Sequence, residues 1–297
     1  MKMSNSFTLI EILVVIVVIG VLSAFILVGM SSITRSANIA KSQAFLNSMD
    51  NSLLLGRVSQ WKFDERTSAG HGDTFIDSWG NNTGTLSTGD GTNNKVSTAC
   101  PSGKCLSFDG TDDYVDCGGG TTLIAGSSLK TVSAWIYVTG GVGIFRAIVS
   151  PTSANYFHFQ LHSSDYLSTL FYGPDTQVNS TTLFNTANYN KWFNVVAIWD
   201  GTYARLYING IQDGISTADS GSISAATSNI FIGQGYSGGR RFQGIIDDVR
   251  IYNQAIPTSQ IQQNYFVGIN KLFKNNGISL NEFNQRIVEL KSSLAGN

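Results

Sequence analysis

The sequence predicts a long N-terminal helix that begins in a membrane, a large antiparallel all-β domain, and a short helical hairpin at the C-terminus. Three observations carry this reading. From Ile12 to Met30 no side chain is charged, a run of about the length that crosses a bilayer core as a helix. Gly, Ser, Thr and Asn dominate residues 67–130 and return between 210 and 240, as many short strands joined by tight turns require. Beyond Pro257, apolar residues recur at helical spacing.

Composition bounds the function before any motif does. A chain of 297 residues is long enough for one large β domain or two smaller units, each with its own core. A net charge of -1, 13% charged residues and no polybasic run leave no footprint for nucleic acid, so no such partner is predicted. Cys100 and Cys105 enclose a Pro-Ser-Gly-Lys turn that brings two strand ends within bridging distance. A disulfide between them is expected, with Cys117 left free. A zinc site is the rival, but three cysteines without a nearby histidine suit a closed tetrahedral site poorly, and an oxidising, exported location fits the bridge.

Between Phe7 and Met30 the single charge is Glu11. The run exceeds the apolar core of a secretory signal, roughly 7 to 15 residues. It flows into an amphipathic pattern of Ile33, Ala37, Ala40, Ala44, Leu46, Met49 and Leu53, with no proline before Pro101. One helix is therefore expected over residues 7–59, hydrophobic over 7–30. At 1.5 Å per residue it is roughly 80 Å long, so its second half must pack on the following domain or on other helices. A carboxylate in the apolar half costs several kcal/mol unless it finds a positive mate. The string Phe7-Thr8-Leu9-Ile10-Glu11-Ile12-Leu13 resembles the start of mature type IV pilins and pseudopilins. The resemblance covers residues 1–59. It implies that a leader, residues 1–6, is removed after Ser6 by a prepilin peptidase, that the new amine of Phe7 is N-methylated, and that Glu11 pairs with that amine on a neighbouring subunit. It further implies other pilin subunits and a pilus assembly platform as partners, with an inner-membrane location before assembly into an extracellular filament. The sequence departs from the family pattern at Ser6, where Gly or Ala is usual, and at Val28, where many members carry Pro.

Residues 60–256 read as strands and hairpins. From Thr131 to Val138, Val132, Ala134, Ile136 and Val138 alternate with Ser133, Trp135 and Tyr137. From Tyr156 to His162, Phe157, Phe159 and Leu161 alternate with Tyr156, His158, Gln160 and His162. Asp200-Gly201 and Asn209-Gly210 link residues 194–199, 204–208 and a following strand into a meander. Five strings, beginning at Trp61, Asp77, Leu106, Trp192 and Gly244, resemble in their order the concanavalin A-like sandwich of the laminin-G and pentraxin type. The implied fold is an antiparallel jelly roll, used by lectins and glucanases.

Many relatives of that fold are glycosidases, which need two carboxylates about 5 to 10 Å apart, often as Glu-x-Asp-x-x-Glu on one strand. The motif is absent, and of Glu11, Glu65, Glu282 and Glu289 only Glu65 falls in the sandwich. The pairs Asp112-Asp113 and Asp247-Asp248 are expected to point to opposite faces, so no enzymatic activity is predicted. Asp247 shares a strand face with Ile245, Val249 and Ile251, which directs a charge at the core. A structural calcium ion held by Asp247 and by oxygens of the Asp77 to Asn82 loop would satisfy it. Backbone amides or Arg250 would do the same. For a ligand, the face of Tyr156, His158, Gln160 and His162, joined by Trp135 and Tyr137, has the aromatic and hydrogen-bonding mixture that sugars use. The same residues also suit strands by propensity alone.

In residues 257–297, Ile261, Tyr265, Ile269 and Leu272 share one helical face, Asn275-Asn276-Gly277 breaks the chain, and Ser279 with Glu282 forms a capping box for a second helix carrying Phe283, Ile287 and Leu290. Together these features predict a minor filament subunit with an adhesive or carbohydrate-binding head. The rivals are a secretion or DNA-uptake pseudopilin whose head binds only proteins, and a membrane-anchored glycosidase.

Overall fold

The computed structural model describes residues 56–295, apart from 66–67, 90–93, 98, 124–129, 154–156, 173–174, 222 and 224–227. Ser6, Phe7, Glu11 and the expected helix as far as residue 55 lie outside the described residues. The helix does not continue to Ser59. Gly56 sits at φ 76°, a left-handed conformation open to glycine, and Arg57–Trp61 is a strand, β1. The lack of proline lets the helical pattern run on in sequence, and Gly56 is the stop it overlooks.

The described strands form two antiparallel sheets. In spatial order the first holds β15 (Ile211–Ile215), β14 (Ala204–Ile208), β13 (Trp192–Trp199), β8 (Lys130–Val138), β17 (Gln243–Tyr252), β6 (Cys105–Asp109), β5 (Asn94–Ser97) and β2 (Ser68–Ala69), while β1 pairs with the C-terminal half of β17. The second holds β12 (Thr176–Leu183), β11 (Tyr166–Phe171), β10 (Phe157–Leu161), β9 (Arg146–Pro151), β16 (Ile230–Ile232), β7 (Tyr114–Asp116), β4 (Gly84–Ser87) and β3 (Thr74–Phe75). The core lies between them. Val132, Ala134, Ile136 and Val138 from β8 meet Phe157, Phe159 and Leu161 from β10 in one cluster, as the two alternations predict. The loops at Asp200-Gly201 and Asn209-Gly210 join β13, β14 and β15 into the expected meander.

Two helices, Thr258–Lys274 and Leu280–Ala295, pack on the outer face of the first sheet. Tyr265, Ile269, Leu272 and Leu290 bury there with Trp135, Trp192 and the cysteines Cys100 and Cys105. This cover explains why every residue of β13 is buried rather than every second one. The capping box forms by half. Ser279 Oγ accepts the Glu282 N–H at 3.1 Å, but the Glu282 carboxylate turns to Arg286 at 2.7 Å, whose guanidinium also donates to Trp192 O at 2.8 Å.

β17 carries an irregularity that the sequence conceals. Its pairing with β8 slips between Asp247 and Arg250, and Asp248 adopts φ 46°, so a bulge shifts the alternation by one residue. Ile246, Val249 and Ile251 face the core between the sheets. Asp247 pairs with Trp135 and Ile245 with Tyr137, which puts both on the outer side. Asp247 therefore does not share a face with Val249 and Ile251.

Candidate functional site

The outer face of the second sheet is of a different kind from that of the first. On β10, His158 and Gln160 point outward while Phe157, Phe159 and Leu161 fill the core. Above them the loop Gly233-Gln234-Gly235-Tyr236-Ser237-Gly238-Gly239-Arg240-Arg241-Phe242 folds back on the sheet, fixed by Phe242 N–H to Gly233 O at 2.9 Å and Ala147 N–H to Arg240 O at 2.8 Å. A continuous line of side chains results. Tyr172 meets the His158 ring edge-on at 5.7 Å, and His158 meets Tyr236 at 5.1 Å. The Arg240 guanidinium lies 4.3 Å from the ring centroids of both Tyr236 and Phe145. Phe145 meets His162 at 4.6 Å, and His162 stacks on Tyr166 at 4.4 Å.

Each member is held by its neighbours. Arg240 donates to Gln160 Oε1 at 2.7 Å and to Tyr236 Oη at 2.8 Å, while Ser150 Oγ lies 2.9 Å from His158 Nδ1. Arg240 itself adopts φ 58°, a conformation that costs a non-glycine residue about 1 kcal/mol or more. Gly235 makes room for its stem, since a Cβ there would come within 2.8 Å of Arg240. Burial first, and the Arg240 charge second, hold the His162 imidazole below its ordinary pKa. Half-buried rings beside fixed hydrogen-bonding groups suit a polar ligand with flat apolar faces.

Not all of the expected face assembles here. Tyr156 lies outside the described residues. His158 is 3% exposed, so it supports the surface from beneath instead of facing solvent. Trp135 and Tyr137 belong to the first sheet, where Trp135 stacks on Tyr265 at 5.7 Å and Tyr137 meets Trp192 at 5.4 Å. Alternation tells which residues share a face but not which sheet owns it. Tyr236, Arg240, Phe145, Tyr172 and Tyr166 went unread in the sequence, where the only signal is a Gly-rich loop holding one tyrosine and two arginines.

The carboxylates also sort differently. Asp247 is fully buried and accepts N–H groups from Ser102 at 2.8 Å and Asp248 at 2.6 Å. Burial, and then the Asp248 charge, push its carboxyl well above the usual range. Asp77 accepts from Gln60, Trp79, Gly80 and Asn82 N–H groups. Backbone amides thus serve both residues in the role assigned to calcium. Asp112 and Asp113 do not diverge; with Asp109 they sit in a turn whose carboxylate oxygens lie within 4.8 Å of one another, a grouping able to hold a cation. Cys100 and Cys105 are bonded with their Cα atoms 5.8 Å apart, and Cys117 is buried and free.

A sequence profile of the concanavalin A-like lectin/glucanases superfamily matches residues 109–262, and a prokaryotic N-terminal methylation motif matches residues 1–27. Among solved structures the chain is similar to domain 4 of AbnA, a GH43 extracellular arabinanase from Geobacillus stearothermophilus in complex with arabinotriose, with a TM-score of 0.54 and 20% identity over 70% of this chain and 98% of that one. It is also similar to the binding domain of Paraclostridial Mosquitocidal Protein 1 (TM-score 0.53, 17% identity, 72% of this chain and 53% of that one) and to the receptor binding domain of botulinum neurotoxin D (0.55, 15%, 72% and 53%). The match spans about half the length of the latter two chains, and at these identities the likeness shows the fold. No curated protein matches the chain.

Proposed function

This chain belongs to the concanavalin A-like lectin/glucanases superfamily, and on that premise we propose that it is a minor subunit of a type IV pilus-like filament whose β-sandwich head binds glycan. The methylation motif at residues 1–27 supports the filament half of this reading. In it Phe7 is the processed, methylated terminus, Glu11 pairs between subunits, and the chain passes from the inner membrane to the filament. The observation that supports the glycan half is the line Tyr172-His158-Tyr236-Arg240-Phe145-His162-Tyr166 on an outer sheet face.

Binding is favoured over hydrolysis. The three strands beneath that line, β9, β10 and β11, contain no Asp or Glu, whereas glycoside cleavage needs a carboxylate pair facing the sugar. For a structural cation, the turn of Asp109, Asp112 and Asp113 is better suited than Asp247. The test is a glycan array probed with the full-length chain in detergent, wild type beside Tyr236→Ala. Wild-type binding that the variant loses supports the reading, and a chain that binds no glycan overturns it.

A further inference from the structure

We infer that the glycan taken by this face is acidic, its negative group received by the guanidinium of Arg240. The inference rests on the glycan-binding reading above. Four other described arginines stand in ion pairs: Arg146 with Asp165, Arg205 with Asp200, Arg250 with Asp248 and Arg286 with Glu282. The next residue, Arg241, lies over the Tyr114 ring, donates to Asp112 O at 3.0 Å and feels the charges of Asp112, Asp109 and Asp113. Arg57, which donates to Gln60 Oε1 at 2.8 Å and lies over Trp79 and Tyr252, has a neutral partner instead, and on the outer face of the second sheet Arg240 shares that treatment. Among the described residues no carboxylate pairs with it, and its two hydrogen-bond partners, Gln160 and Tyr236, are neutral.

Those partners use two of the five N–H donors that a guanidinium carries. The guanidinium carbon lies 4.3 Å from the ring centroids of Phe145 and Tyr236, and these rings with the two hydrogen bonds hold the fork before any ligand arrives, so little freedom is lost on binding. A carboxylate or a sulfate ester accepts such a fork through two parallel hydrogen bonds. The rings flanking it give a pyranose surfaces on which to stack. Gly235 leaves room for the Arg240 stem, where a Cβ would come within 2.8 Å, and the backbone of Arg240 holds a left-handed φ of 58°.

The full-length chain in detergent is applied to an array of uronic, sialic, sulfated and neutral oligosaccharides. The strongest binder is then titrated beside its carboxyl-reduced or desulfated form, which tells one source of charge from the other. The charged form is expected to bind at least tenfold more tightly. Arg240→Gln should abolish that preference, Arg240→Lys should restore part of it, and Arg205→Gln, which removes the same charge elsewhere, should leave it intact. Should Arg240→Gln not fold, salt serves instead: wild-type affinity for an acidic ligand falls as ionic strength rises, and affinity for a neutral one does not. Equal affinity for the charged and neutral forms overturns the inference while leaving the glycan-binding reading in place. Binding to no glycan removes both.

Discussion

The two sheets present the same kind of residue to the core and opposite kinds outward. Outside the first sheet Trp135, Trp192 and Tyr137 meet Tyr265, Ile269 and Leu290 from two helices, so aromatic rings there are structural. Outside the second sheet the buried His158 and Gln160 support the half-buried Tyr236 and Arg240 of the loop above them. The two C-terminal helices pack on the first sheet and not here. Aromatic residues on a strand thus carry opposite meanings depending on what lies over them, and an aromatic side chain marks a ligand surface only where no other element claims it.

Stability measurements can break this contrast. Trp135→Ala should cost about 3 to 5 kcal/mol, because it empties a packed site under the first helix, whereas Tyr172→Ala on the open face should cost less than about 1 kcal/mol. Equal costs in urea unfolding would mean that the second face is covered as well. A sharper version compares a cation inside with one outside. Lys130 is 2% exposed, its Nζ lies 3.4 Å from Leu123 O, and burial lowers its pKa from 10.5 to about 8. Between those values the unfolded chain holds more protons than the folded one, so stability should rise with pH there, by up to roughly 3 kcal/mol. Lys130→Met should flatten the rise and Arg240→Gln should not. A profile that stays the same in Lys130→Met would show that the ammonium is hydrated.

Two smaller effects probe the rims. Calcium at about a hundred times its dissociation constant should stabilise the head by roughly 2.7 kcal/mol if it binds only the folded form, and Asp112→Asn should abolish the shift while Asp247→Asn should not. A melting temperature unchanged between calcium and chelator would dismiss the cation. Ser279→Ala, which removes the cap of the second helix, should cost about 1 kcal/mol and leave glycan binding untouched. Lost binding would tie the covered face to the open one.

Much of the sandwich was legible because its signals are local. The alternations in β8 and β10 and the turns at Asp200-Gly201 and Asn209-Gly210 depend on neighbours in the chain. What stayed hidden depends on contacts across it. The Asp247 face was misread because a bulge at Asp248 resets the phase, and Trp135 because the helix above it comes some 130 residues later, at Tyr265. Glu282 completes the capping pattern in sequence, yet Arg286 one turn on competes for its carboxylate. Arg240 could not be found at all, since its role comes from Phe145, Gln160 and Tyr236 converging on it.

The Cys100–Cys105 loop has a consequence in time. It lies within the cluster that both helices cover, Asn275 Nδ2 donates to Cys100 O at 3.1 Å, and Trp192 Nε1 donates to Ala99 O at 3.2 Å. Thiols stay reduced in the cytosol and form lasting bridges in oxidising compartments outside it. In the proposed exported subunit the platform beneath the helices would gain this covalent closure after the membrane crossing. Reducing the bridge is therefore expected to loosen the helices from the first sheet while the core between the sheets stays closed.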